Sequence, residues 1–223
     1  MVLRPISEFP DTAIGRSEYR QQERAIEQAI LCMVNQTRHY WSNDLLPRPP
    51  KPPWWPSGEW GAGLPQWPPA TRASVKGLGK NALPGLPGAA YRHVKDAVRL
   101  RWWGKVTPGK NCVPQQNKPE LCDSHINPQT RSTPKIRAEE AGYPRGCTKG
   151  WSVAENTYVG WGRDHVTPRA AFDAWYQSPP HFLNLLGGGT EMTVQMAWGS
   201  ADPAAPSGLP AVTYVQMFGT CQR

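Results

Sequence analysis

The segment Trp151-Ser152-Val153-Ala154-Glu155-Asn156-Thr157-Tyr158-Val159 decides how this chain folds. Its residues alternate in the two-residue period of a strand, so Trp151, Val153, Glu155, Thr157 and Val159 share one face. Two later segments repeat that period: Met192, Val194, Met196 and Trp198, then Val212, Tyr214, Gln216 and Phe218. Small residues from Asp202 to Pro210 read as the hairpin excursion joining them. Between the first strand and the second, Thr167-Pro168 begins a helix with proline at its first position, and Ala171, Phe172 and Trp175 form its buried side.

Upstream the period changes to that of helices. Over residues 17–41 a buried face recurs at Ala25, Ile26, Ala29, Ile30, Met33 and Val34. Arg20, Arg24, Glu27 and Gln28 lie outside it, and Ser17 serves as N-cap. Ala89 to Trp103 predicts a second helix whose apolar stripe is Ala90, His93, Val94, Ala97, Val98 and Leu100. Pro134 to Ala141 predicts a short third helix ending near Gly142. Helices interleaved with a few strands predict an α+β fold, a three-layer α-β-α sandwich around a small antiparallel sheet.

Composition adds long Pro/Gly/Trp-rich loops to that fold. The 223 residues include 25 prolines, 21 glycines and 11 tryptophans, and only 19% are charged. A single domain of this size buries roughly 70–75% of its unfolded surface and needs no metal to form a core. Residues 1–16 read as an N-terminal extension and 43–85 as an insertion within the domain. Inside that insertion, Pro49-Pro50-Lys51-Pro52-Pro53-Trp54-Trp55-Pro56 favours polyproline II. Its Trp54, Trp55, Trp60 and Trp67 either coat the domain or form a recognition arm over residues 47–69 that meets a protein partner or a glycan. The coat is favoured, since solvated tryptophans are costly.

Cys32, Cys112, Cys122, Cys147 and Cys221 contain no Cys-x-x-Cys pair, which points to disulfides in an oxidising compartment. Cys112 and Cys122 can staple one loop. One further bridge can form among the other three, leaving one thiol over. No segment approaches the ~18–20 apolar residues of a membrane span. Met1 to Pro10 lacks the charged start and apolar run of a signal peptide, so export requires a leader outside this chain or another route. The formal charge of +8 favours anionic surfaces such as wall polymers, lipid headgroups or nucleic acid. Nucleic acid ranks last, because no helix-turn-helix, RNP or zinc-finger frame accompanies Arg92, Lys95, Arg99 and Arg101.

Several local frames, taken together, resemble one family. Asn35-Gln36-Thr37-Arg38 lies at the end of the first helical pattern. Ser124-His125 is followed by Arg137-Ala138-Glu139-Glu140-Ala141-Gly142-Tyr143, and then by Ala154-Glu155-Asn156. Trp175-x-x-Ser178-Pro179-Pro180-His181-x-x-Asn184-Leu185-Leu186 precedes Thr190-Glu191-Met192, and Tyr214-Val215-Gln216-Met217-Phe218-Gly219 closes the series. In this order the frames resemble the bacterial form of the CAP superfamily, the SCP-like domains named for cysteine-rich secretory proteins, antigen 5 and pathogenesis-related proteins. The resemblance covers about residues 17–42 and 85–220. Ala154 and Pro180 stand where the family has glycine, and Thr193 and Gln195 where it has small residues, which implies a stiffer backbone or a narrower cavity.

The resemblance implies a groove lined by His125, His181, Glu155 and Glu191. Two neutral imidazoles, His125 and His181, suit zinc or another divalent metal, with Glu155 and Glu191 orienting them or holding a metal-bound water. The same four groups can instead pair across the groove and lock loops to the sheet without metal or turnover. Catalysis is the weaker expectation, because no nucleophile with a base and an oxyanion hole is evident. Gly150-Trp151-Ser152-Val153-Ala154 lacks the final glycine of a nucleophile elbow and leads into a strand. His93 reads as a core residue, and His39 and His165 as exposed. Asn156 reads as fixing a turn after Glu155, and Asn35 as capping local packing.

Three functions follow as expectations. The first is a secreted or cell-surface, non-enzymatic domain whose groove binds a divalent ion, a lipid or sterol, or an anionic surface polymer or glycan. The second is a structural or adhesive component of an extracellular or virion assembly that docks through the Pro/Trp-rich arm. The third is a metal-dependent hydrolase of peptides or cell-wall material with Glu155 as base.

Overall fold

The computed structural model describes residues 13–43, 70–72, 85–109, 111–187 and 189–223. The extension up to residue 12, most of the 43–85 insertion and the tryptophans at 54, 55, 60 and 67 lie outside the described residues. In chain order the elements are α1 (Ala13–Asn43), β1 (Thr71–Arg72), α2 (Gly85–Leu100), α3 (Pro134–Glu140) and β2 (Gly150–Trp161). A 3₁₀ turn at Arg163–His165 leads to α4 (Pro168–Tyr176), α5 (Pro179–Leu186), β3 (Glu191–Trp198) and β4 (Ala211–Gln222).

Helices and a small antiparallel sheet make this a mixed α+β fold. The sheet order is β1-β3-β4-β2. β4 pairs antiparallel with β2 along its whole length, from Gly150↔Gln222 to Trp161↔Ala211, and with β3 from Glu191↔Gly219 to Trp198↔Val212. The two residues of β1 run parallel beside the start of β3. β2 is therefore the outer strand on the side away from β1.

The alternation read from the sequence sorts the strand residues into two apolar clusters. Met192, Val194, Met196, Val212, Tyr214 and Phe218 pack with Ile26, Ile30 and Val34 of α1 and with Trp175, Phe182 and Leu185 of α4 and α5. Val215 and Met217 pack instead with Leu86, Ala89, Ala90, Val94 and Ala97 of α2 and with Ala138 of α3. Each fully buried large aliphatic or aromatic side chain contributes about 1.5–3 kcal/mol, so these clusters fix which helices cover which strand positions.

Local chemistry sets the helix ends. Thr133 caps α3 by accepting from the Ile136 amide at 3.3 Å, and Thr167 caps α4 by accepting from the Ala170 amide at 3.1 Å, each with proline in the first turn. α1 is already helical at Ala13, so Ser17 lies inside it and is not its cap. α2 starts at Gly85, earlier than expected, and stops at Leu100. Arg101 takes φ 51, a left-handed conformation that ends the helix, and Trp102 and Trp103 then turn into the core at 2% and 3% exposure. Asn156 stands within β2, so no turn follows Glu155.

Asn35 has a more specific role than local packing. Its side chain donates to Ala70 O at 2.9 Å and accepts from Ala70 N at 2.8 Å, which fastens Ala70, the residue before β1, to α1. Disulfides join Cys112 to Cys122 and Cys147 to Cys221, and Cys32 is a free, exposed thiol. This cysteine chemistry fits an extracellular protein. Among the described residues no helix is long and apolar enough to cross a membrane.

Candidate functional site

The outer strand β2 carries Glu155, and everything at the site is arranged around its carboxylate. That carboxylate is 1% exposed. Arg137 of α3 donates from Nη2 to Oε2 at 2.6 Å, His125 donates from Nδ1 to Oε1 at 3.0 Å, and His93 of α2 brings Nε2 to 3.7 Å from the same Oε1. Burial on its own would raise the Glu155 pKa. Arg137 first, then His93 and His125, overturn that effect and hold the group down at about 2. Glu155 is thus ionised near neutrality, with both oxygens engaged.

The loop before α3 presents His125. Three successive carbonyls in it are each held by a side chain from the α2–α3 side. Trp102 Nε1 donates to Asp123 O at 3.1 Å, His93 Nε2 to Ser124 O at 2.8 Å, and Arg137 Nη1 to His125 O at 3.0 Å. The Asp123 carboxylate accepts from the His125 amide at 2.8 Å, and Ser124 Oγ shares a 2.9 Å bond with Thr157 Oγ1 on β2. A loop pinned at this many points gives the His125 ring a fixed origin.

His181 arrives from the opposite side of β2. Asn156 points to the α4–α5 side, where its amide donates to His181 O at 3.3 Å and to Gln216 Oε1 at 2.9 Å. Asn184, three residues after His181, donates to Glu155 O at 3.2 Å and to Asn156 Oδ1 at 2.8 Å, while Trp175 Nε1 donates to Thr157 O at 3.0 Å. α4 and α5 thereby cap the outward carbonyls of β2 and bring His181 to the same strand edge as His125.

The two imidazoles differ electrostatically. Burial lowers the His125 pKa, but the hydrogen bond and charge of Glu155, helped by Asp123, raise it above the ordinary histidine value. Burial lowers His181 to about 4, and repulsion from His125 adds to this, so the two rings feel one another. Among the described residues no hydrogen bond reaches His125 Nε2 or either ring nitrogen of His181. His125 is 34% exposed at its side chain, which leaves its outer nitrogen open to a ligand.

Glu191 pairs with Gly219 and Glu155 with Met217, so the two glutamates project from the same face of the sheet, on the strands either side of β4. Glu191 adjoins Tyr143, whose phenol pKa is pushed up by burial and then by the Glu191 charge. Of the four expected residues, His125 and His181 adjoin Glu155 and its neighbours on β2, and Glu191 adjoins Tyr143. His39 and His165 are exposed, as the sequence indicated.

Arg137 belongs to the site although the sequence reading gave it no role there, and His93, read as a core residue, is fully buried beside Glu155. The signal for Arg137 was a cation beside Ala138 on the buried side of a very short helix, where an arginine needs a carboxylate. Glu155 accepts from Nδ1 of His125, which fixes that tautomer and leaves Nε2 as the ring nitrogen available to a ligand. Among the described residues no group of three or more His, Cys, Asp or Glu side chains converges to hold a metal. In comparisons with known proteins, the chain matches no family model, no curated protein and no solved structure.

Proposed function

We propose that the chain is a CAP-superfamily domain, a three-layer α-β-α sandwich acting outside the cell, that binds a ligand non-enzymatically between His125 and His181. A divalent ion held by the two imidazoles is the ligand this chemistry suits best. The reading is carried by one observation: His125 Nδ1 is bound to the ionised Glu155 at 3.0 Å while Nε2, and the ring of His181 opposite, have no hydrogen-bond partner among the described residues. The ordered series of family-like frames and the two apolar clusters on alternate strand residues support the fold assignment. Disulfides support the compartment.

An ion at this point would supply a Lewis-acidic centre. The chain's own residues orient the two imidazoles, exclude competing protons from His181 and keep Glu155 anionic. Hydrolysis with Glu155 as base is disfavoured on basicity: a carboxylate held at about 2 by Arg137 is a poor proton acceptor near neutrality. A docking role for the Pro/Trp-rich arm rests on residues outside those described.

Zinc titration by calorimetry tests the proposal. His125→Ala and His181→Ala should each abolish binding, and Glu155→Gln should weaken it about 10–100-fold through loss of the orienting bond. Zinc affinity unchanged in a folded His125→Ala/His181→Ala protein would overturn the ion site.

A further inference from the structure

Two buried polar atoms beneath the site have no partner among the described residues: Nδ1 of His93 and Nε1 of Trp103. They are chemically complementary. His93 Nε2 lies 2.8 Å from Ser124 O, an acceptor with no hydrogen to give, so the ring proton resides on Nε2 and Nδ1 offers a lone pair. The indole N–H of Trp103 can only donate. The rings are neighbours, with centroids 6.2 Å apart and planes tilted by 40°. Even so, the two nitrogens make no direct hydrogen bond.

A buried donor and a buried acceptor left unpaired each carry the full penalty of losing their hydration. Two nitrogens joined through one water can stand up to roughly 5.5 Å apart, because each leg is about 2.9 Å. We propose that a single enclosed water bridges Trp103 Nε1 and His93 Nδ1, accepting from the indole and donating to the imidazole, and so completes the chain that holds the Ser124 carbonyl beside His125. The bridging species must both accept and donate. A metal ion or ammonium has no acceptor for the indole hydrogen, and Trp102 Nε1 is already committed to Asp123 O. Burial keeps the His93 ring neutral by lowering its pKa to about 4, so the acceptor at Nδ1 persists near neutrality. The inference stands on this pair of atoms and is independent of what the groove binds.

A high-resolution crystal structure of the full chain reads the site directly. The expected result is one ordered water within hydrogen-bond distance of both nitrogens; an empty gap, or a direct bond between the rings, overturns the proposal. In solution, long-range proton–nitrogen NMR should find His93 protonated on Nε2, with cross-relaxation from the Trp103 indole proton to bound water. Trp103→Phe should shift the Nδ1 resonance toward that of an unbonded nitrogen, and an unshifted resonance in the folded variant counts against the bridge. Should that variant fail to fold, the crystal structure of the native chain still decides.

Discussion

Arg137 and Glu155 meet at 2.6 Å with only 3% and 1% of their side chains exposed, an ion pair sealed under the His125 loop. Such a pair is sensitive to losing one member, because the charge left behind is desolvated and uncompensated. Glu155→Gln should cost about 3–5 kcal/mol in urea unfolding. Arg137→Met should cost at least as much, since it also removes the bonds to His125 O and Ser132 O. The double variant should lose clearly less than the sum of the singles. Additive losses would mean that the two charges are not coupled.

The histidines make stability depend on pH in two opposite ways. His93 and His181 are both lowered to about 4, so between about 4 and 6.5 the unfolded chain binds protons that the folded one refuses. Glu155, lowered to about 2, behaves likewise between about 2 and 4.5, where its stabilisation is lost as pH falls. Stability should therefore drop steadily on acidification from 6.5. His125 is raised, so its contribution is fully present below 6.5 and is lost as pH climbs through its folded value. Thermal midpoints recorded across pH 3–9 check this, and His181→Ala should flatten the slope between about 4 and 6.5. An unchanged slope in that variant would remove His181 from the account.

Gly219 is fixed by its neighbours rather than by backbone torsion. A Cβ there would run into Tyr143 Oη, and would lie 2.5 Å from its Cζ and 2.7 Å from Leu86 Cδ1. Gly219→Ala should thus destabilise by about 1–3 kcal/mol, the usual cost of overpacking. Truncating the obstacle should relieve it: Gly219→Ala/Tyr143→Ala should lose less than the two single losses combined, as measured by denaturant unfolding.

The strands and their faces were legible because a two-residue period is a local signal. Met192, Val194 and Met196 read correctly as one face, and Trp151, Val153 and Val159 as another. Helix ends were less legible, since α2 stops where Arg101 adopts a left-handed backbone, and nothing in its side chain announces that. The short α5, with its exposed Leu183, and the two-residue β1 carry too few residues to show a period. At the site, the frames named His125, Glu155, His181 and Glu191 together, but not which of them pair; the His125–Glu155 bond is a tertiary fact. Arg137 was visible in the same frames, but its role depends on where α3 crosses β2, a tertiary fact. Glu191 is a similar case: its frame was visible, but its contact with Tyr143 depends on where the turn after α3 meets β3 and β4, again a tertiary fact.

The two disulfides should divide stability from site geometry. Cys147–Cys221 closes a separation of 74 residues and ties the end of β4 to the turn after α3, so on chain-entropy grounds its removal should cost about 4 kcal/mol. Cys112–Cys122 closes only 10 residues and should cost less, about 3 kcal/mol or below. Its neighbourhood is the site, however. The Asp123 amide donates to Val113 O at 2.6 Å, and Asp123 in turn holds the His125 amide. Cys112→Ala/Cys122→Ala should therefore weaken zinc binding more than Cys147→Ala/Cys221→Ala does, while the order of unfolding free energies runs the other way. Thiol titration of the native protein should count one reactive group, Cys32, and more than one would mean that a bridge is open. If both double variants lose affinity and stability in the same proportion, the short bridge has no particular hold on His125.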